Sequence, residues 1–406
     1  MPETLVAPRQ PVHTVYGGAH LFAPDTAAKL GAIALRALRE HAPDAETLAA
    51  AIGLDVDLTA RIYPRIVGKL EREPVEDYRL DFEDGFGNRP DDEEDAVARR
   101  AATSVAAGLA AGTLPARIGI RIKTLSDATL ARRGLRTFDI FLAALVSATG
   151  GALPEGFVVT LPKITAPDQV ERMAAACGAF ELAHGLPSGS LHVEVMVETP
   201  QSIFSPDGGV ALPSLVAQGG GRIVGAHFGP YDYTAALGIT AAHQGLRHPA
   251  CDFAREIMRV SLAATTVSIS DGPTTLMPIG GAEAVRRAWR AHAENIRHAL
   301  VGGFYQGWDL HPAQLPARYA AVYAFFLEGL DAAATRLRHF VERSAQATLA
   351  GNVFDDAATG QGLLNYFLRA VGCGAMSESE AVAASGLTID ALRSRSFAAI
   401  VGGREA

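Results

Sequence analysis

Two carboxylates follow apolar runs in close succession. Glu198 ends the stretch VMVETP (195–200), where a proline halts the run, and Asp232 lies in HFGPYDY (227–233) behind Gly229 and Pro230. If both runs are neighbouring strands, the two acids present hard oxygen donors and leave further positions to water and substrate oxygens. That suits an octahedral cation such as Mg²⁺, with Mn²⁺ as a substitute. Either acid alone could instead cap a helix; the succession of two, with a fixed positive group nearby, favours the metal. Arg121 in GIRIK (119–123) is that group. A guanidinium fork fits a carboxylate or an enolate oxygen with two parallel hydrogen bonds. It could equally form a structural ion pair with Glu83 or Asp84. Asp81, Glu83 and Asp84 crowd three acids around one run's end in DFEDG (81–85), as partners of Arg121, as ligands of metal-bound waters, or as a solvated acidic loop. Lys163 ends LPK (161–163); a Schiff base would need a desolvated pocket, so an ion pair is the expectation. His311 in DLHPAQ (309–314) is either a general base or a hydrogen bonder that fixes its loop.

Such groups converge only if the elements bring their ends together. Short β-branched or aromatic runs at 13–22, 77–82, 117–122, 157–161, 192–197, 222–228, 274–278 and 304–310 read as eight strands. Helical stretches fall between them, among them 92–111, 167–184 and 249–267. The alternation predicts an α/β fold, a (β/α)8 TIM barrel with its reactive groups at the C-terminal ends of the strands. The surplus length is a helical insertion at about 42–73, after the first unit, and a C-terminal helical extension. The expected domains are therefore a catalytic barrel over 1–312 and the extension over 313–406, in which 351–374 is a loop followed by a helix. The competing architecture is a doubly wound open sheet, but no GxGxxG or GxxxxGK[ST] follows any strand.

Composition narrows the classes. Of 406 residues 49% are hydrophobic and 20% charged, which is globular rather than disordered. A net charge of −8 offers no basic footprint for nucleic acid. No apolar run reaches the ~18 residues of a membrane span, and residues 1–10 lack a basic segment followed by an apolar core, so neither membrane nor signal peptide is expected. Cys177, Cys251 and Cys373 are isolated, which points to a reducing cytoplasm.

Taken in order, LDFEDGFG (80–87), IGIRIKT (118–124), VVTLPKI (158–164), VEVMVETP (193–200), HFGPYDYTAALG (227–238) and GFYQGWDLHPAQLP (303–316) resemble the motifs of the citrate lyase β-subunit, malyl-CoA lyase and HpcH/HpaI aldolase superfamily. The resemblance covers most of the chain. It implies a Mg²⁺-dependent carbon–carbon lyase of aldolase type, with Glu198 and Asp232 matching the metal ligands and Arg121 matching the residue that steadies the enolate of a small 2-oxo acid such as pyruvate, glyoxylate or oxaloacetate. Glu83, Asp84, Lys163, Gly229 and Pro230 join Arg121 as candidate substrate contacts. The acyl-CoA members supply a carboxylate from a C-terminal segment of a neighbouring subunit; FDDAA (354–358) resembles it and makes Asp355 or Asp356 a candidate acid/base. Trimers or hexamers are implied in the same way. Tyr16, His20, Tyr231 and Tyr233 depart from the pattern: Tyr16 and His20 either face the pocket or pack in the core. Three functions stay open here, namely an aldolase of free 2-oxo acids, a lyase of CoA thioesters, and a non-catalytic metabolite-binding barrel.

Overall fold

The computed structural model describes residues 9–263, 265–342, 348–350, 353–355 and 357–394. Eight strands, each parallel to the next, close on themselves: β1 (His13–Gly18), β2 (Asp77–Asp81), β3 (Arg117–Arg121), β4 (Val158–Leu161), β5 (His192–Val197), β6 (Ile223–Phe228), β7 (Ser268–Pro273) and β8 (Gln306–Asp309), with β8 paired back to β1. Helices on the outside separate the strands, so the (β/α)8 barrel expected from the sequence is the fold.

Seven strands lie where the sequence placed them. The seventh does not: it is Ser268–Pro273, ahead of the expected 274–278. Its residues SISDGP lack the β-branched run that signals a strand, and its buried polarity is met by partners instead. Asp271 takes both its oxygens to Arg255 Nη1 at 3.0 Å, from helix Pro249–Leu262. That helix in turn ends before the expected 267.

In the first crossover, helices Ala45–Ile52 and Val56–Arg72 stand between Thr26–His41 and β2. Asp44 and Asp55 start them by accepting the backbone N–H of Thr47 and Leu58, each at 2.8 Å. Helix Leu315–Glu328 follows β8 and closes the outer ring against helices Ala282–Val301 and Val56–Arg72, so the eighth unit runs past residue 312. It is apolar nearly all round because both its faces are covered. On its far side lie Leu330–Glu342 and Ala357–Cys373.

Those later helices sit at the N-terminal end of the barrel. Arg369 Nη1 donates to Gln10 Oε1 at 3.2 Å, and Gln10 Nε2 in turn donates to Ile269 O and Gln306 Oε1 near the starts of β7 and β8, at 3.0 and 3.2 Å. Arg65 Nη1 reaches Ala375 O at 2.7 Å.

The barrel interior is charged. Arg79 of β2 is fully buried and reaches across to Glu194 of β5, its Nη2 2.7 Å from both carboxylate oxygens, while also pairing with Asp77. Thr160 of β4 and His227 of β6 complete the layer at 3.2 and 3.1 Å from Glu194 Oε2. Above it Tyr16, Met196 and Trp308 form a separate apolar cluster. Removing one member of a buried ion pair strands the others without water. Arg79→Met is therefore expected to lower the unfolding free energy by about 3–5 kcal/mol in urea denaturation; a loss below about 1 kcal/mol would show that the charged layer does not hold the strands.

Candidate active site

The C-terminal mouth of the barrel collects five carboxylates and two cations from β2 to β6. Asp81, the last residue of β2, is buried and receives Arg121 of β3 edge-on: Nε donates to Oδ1 at 2.8 Å and Nη2 to Oδ2 at 2.5 Å. The backbone N–H groups of Glu83 and Gly85 also donate to Asp81, at 2.9 and 2.7 Å. Gly85 is required there, since a Cβ would stand 2.7 Å from Asp81 Oδ2. Burial pushes the Asp81 carboxyl up, but Arg121 and these two N–H groups more than reverse it and hold it below the usual carboxylate range.

Two nitrogens of Arg121 are thus committed. The third, Nη1, is buried without a hydrogen-bond partner and stands 3.1 Å from the equally unpartnered Glu83 Oε2. The guanidinium carbon lies 4.9 Å from the ring centre of Tyr16 and 5.4 Å from that of Trp308, two rings 4.2 Å apart that form its floor. Trp308 Nε1 is buried and unpartnered, and burial drives the Tyr16 hydroxyl well up.

Glu198 follows β5 directly and is 2% exposed. It caps no helix, because Thr199 takes that role for Pro200–Ile203. Its Oε1 accepts the backbone N–H of Lys163 at 2.7 Å. Gly229 makes room for it: a Cβ there would lie 2.5 Å from Glu198 Cβ and 2.6 Å from Oε2. Burial dominates its ionisation, and with the like charges of Glu83 and Asp232 outweighs Arg121 and Lys163, lifting the carboxyl to about 8.

Asp232 stands in the first turn of Pro230–Ala236, half exposed and making no cap. Its neighbour Tyr231 donates to Pro273 O at 3.1 Å and accepts from Thr275 N at 3.3 Å, which ties this turn to the end of β7.

Lys163, just beyond β4, is the only non-glycine residue among those described with a positive φ, 51°. A side chain held in that region costs of order 1–3 kcal/mol and persists where surroundings impose it. Its ammonium contacts Glu83, stands 3.2 Å from Asp84 Oδ1 and 3.7 Å from Asp232 Oδ2. It forms ion pairs, as expected. Burial pulls Lys163 down, yet the surrounding carboxylates hold it above its usual range.

The structure therefore gathers Arg121, Glu83, Asp84, Lys163, Glu198 and Asp232 at one mouth. Gly229 and Pro230 lie behind Glu198, with Pro230 against Gly272, where a Cβ would be 2.2 Å from the proline ring. Asp355 is not brought there. It ends a short strand, Val353–Asp355, paired with Thr348–Ala350, and that hairpin contacts Leu330–Glu342 and Ala357–Cys373. Asp356 lies outside the described residues. His311 fixes its loop, its Nδ1 accepting Ala313 N–H at 3.1 Å. His20 turns edge-on to Phe86, 5.6 Å between ring centres. The sequence offers Asp81 as one of three candidate partners of Arg121 and does not single out Trp308 or Met196, which pack with Tyr16; the alternation of Gln306 with Trp308 along β8 is the available signal for Trp308.

Among the described residues no three His, Cys, Asp or Glu side chains form a ready-made metal cage. Glu198 and Asp232 offer two hard oxygen ligands, one buried and one open to the mouth, which fits a cation that keeps water or substrate on its remaining positions.

The family described as "Domain of unknown function (DUF6986)" matches residues 5–400. The chain belongs to the DUF6986 family. This DUF6986 protein is 28% identical over 188 residues to the L-malyl-CoA/beta-methylmalyl-CoA lyase of Haloarcula marismortui, across 46% of its own length. It spans half the length of that relative. Among solved structures, a citrate lyase from Burkholderia xenovorans LB400 superposes with a TM-score of 0.61 at 18% identity, over 93% of this chain and 97% of the other. The protein CitE from Mycobacterium tuberculosis, in complex with magnesium, acetoacetate and coenzyme A, gives 0.51 at 19% identity, over 88% and 97%. The resemblance read in the motifs is borne out. No helix among the described residues is long and apolar enough to cross a membrane.

The raised Glu198 carboxyl has a measurable sign. Its folded value of about 8 lies above the ordinary 4.5, so its contribution to stability is full below 4.5 and is lost as the pH rises through 8. In EDTA, the melting temperature of the wild type is expected to fall relative to Glu198→Gln between pH 5 and about 9. Parallel curves would place Glu198 in an ordinary solvated setting.

Proposed function

We propose that this DUF6986 protein is a metal-dependent carbon–carbon lyase of aldolase type, acting on a small hydroxy acid through the enolate of a 2-oxo acid such as pyruvate, glyoxylate or oxaloacetate. The observation that carries the reading is Arg121: clamped on Asp81 through two nitrogens, it keeps Nη1 as a third buried donor, unbonded and 3.1 Å from Glu83 Oε2, at the mouth that also holds Glu198 and Asp232. Breaking the carbon–carbon bond of a β-hydroxy acid leaves negative charge on an enolate oxygen. A donor already oriented and itself buried lowers that barrier without reorganising.

Mg²⁺, which Glu198 and Asp232 would hold, supplies a Lewis acid for the carboxylate and ketone oxygens of the substrate. The chain's own residues do the rest. Asp81 fixes the plane of the guanidinium, Tyr16 and Trp308 exclude water beneath it, and Lys163 fixes Glu198 through its backbone. The similarity to the CitE complex and to a CoA lyase supports the metal and the small carboxylate. The same relative favours a second reading, in which the substrate is a CoA thioester. Asp355 and Asp356 remain the proposed acid/base. Because the helix after Asp355 is anchored at the N-terminal end of its own barrel, they would act at the mouth of another copy in a homo-oligomer. A cytoplasmic setting fits three unpaired, buried cysteines.

Mass spectrometry of products from each 2-oxo acid with a panel of aldehydes, run in parallel with CoA thioesters of hydroxy acids, separates the two readings. Loss of both metal ligands in Glu198→Gln/Asp232→Asn should abolish turnover while circular dichroism stays unchanged; full activity of that variant overturns the assignment. Arg121→Lys should lower kcat by about 10²–10³, since an ammonium cannot keep both bonds to Asp81 and still offer a directed third donor. A rate within about threefold of wild type would make Arg121 structural only.

A further inference from the structure

We propose that the Lys163 ammonium stands in for the divalent cation in the metal-free protein, so that the ion binds by displacing a lysine side chain rather than by filling a void. The inference rests on the metal reading above and adds to it a competitor built into the chain.

Lys163 reaches the four mouth carboxylates other than Asp81, three with its ammonium and Glu198 with its backbone N–H. Its Nζ contacts Glu83, lies 3.2 and 3.3 Å from the two oxygens of Asp84 and 3.7 Å from Asp232 Oδ2. Its backbone N–H holds Glu198 at 2.7 Å. Arg121 pairs with Asp81 and also stands 3.1 Å from Glu83 and 3.7 Å from Asp84, whereas the Lys163 ammonium faces Glu83, Asp84 and Asp232 together, next to the Glu198 that its backbone holds. A compact ammonium amid converging carboxylate oxygens meets the same electrostatic demand as a metal ion.

Two further features point to a charge that can leave. The chain has 36 Lys and Arg residues, of which lysine occupies only positions 29, 69, 123 and 163. An arginine here would lock its planar fork onto a carboxylate, whereas a lysine carries a point charge on a flexible stem. The Lys163 side chain is also 28% exposed, so the ammonium has a way out to solvent. The backbone and the side chain have separate tasks. The Lys163 N–H holds Glu198 Oε1 through the backbone, so displacement of the ammonium leaves Glu198 in place.

Calorimetric titration with MgCl₂ of the wild type and of Lys163→Met tests this. The variant should bind Mg²⁺ about tenfold tighter or more, as expected on removing a unit charge at ~4 Å near the protein surface. Relief of repulsion alone would give the same sign, so a second measurement separates displacement from it. With only four lysines, [ε-¹³C]lysine labelling gives four signals, and that of Lys163 is the one missing from the variant. Its relaxation should report a clamped methylene without metal and a mobile one at saturating Mg²⁺, while the other three stay unchanged. Equal or weaker Mg²⁺ binding by Lys163→Met, or a Lys163 methylene that stays rigid in saturated wild type, overturns the displacement and leaves the metal assignment standing. Absence of Mg²⁺ binding in both proteins overturns both. Should Lys163→Met not fold, Lys163→Arg identifies the missing signal instead, and the relaxation measurement on the wild type decides.

Discussion

Arg121 carries a full positive charge into a buried position, and Asp81 meets it with both oxygens. A buried guanidinium without such a partner would cost more than the barrel could offset, and a freely rotating one would point nowhere. The edge-on pairing settles both matters and fixes the plane in which Nη1 projects. The neighbouring features follow from it. Asp81 can serve only because Gly85 lets the backbone curl over its carboxylate, and the ring pair of Tyr16 and Trp308 can lie beneath only because the guanidinium is held flat above them. Glu198 then stands close enough to feel that positive charge while its own burial resists ionisation. The mouth is a set of charges each of which is tolerable only in the presence of the others.

Below the mouth the same logic continues in an unusual place. A barrel interior is commonly filled by branched apolar side chains; here a layer of Asp77, Arg79, Glu194 and His227 underlies the Tyr16, Met196 and Trp308 layer. Buried ion pairs are weak contributors to net stability but strict specifiers of geometry, because each has few alternative partners. An aromatic floor set on such a layer has little freedom to sink or tilt.

Much of this was legible in the sequence, and the limits have physical causes. Strands with β-branched runs declare themselves, and a carboxylate or lysine just after such a run, close to proline, marks a strand end; that is how Glu198, Asp232 and Lys163 come into view, while Arg121 stands out as a cation within an apolar run. SISDGP gave no such sign, because its Asp271 is satisfied by an arginine on a distant helix and its Gly272 is dictated by the proline ring of another strand's loop. Asp81 looked like one of three equivalent acids. Choosing among them needs the register of β2 against β3, in which Asp81 is directly opposite Arg121. Trp308 meets Tyr16 only because β8 closes on β1, a contact between residues almost three hundred positions apart.

The ion pair from Arg79 to Glu194 and the contact from Tyr16 to Met196 both cross the barrel, joining β1 and β2 to β5. A cut after β4 would separate every one of those partners, leaving a cation and a phenol in one fragment and a carboxylate in the other, each facing the wrong solvent. This barrel is accordingly not two half-barrels laid together. Its interior charges couple the closing of one half to that of the other.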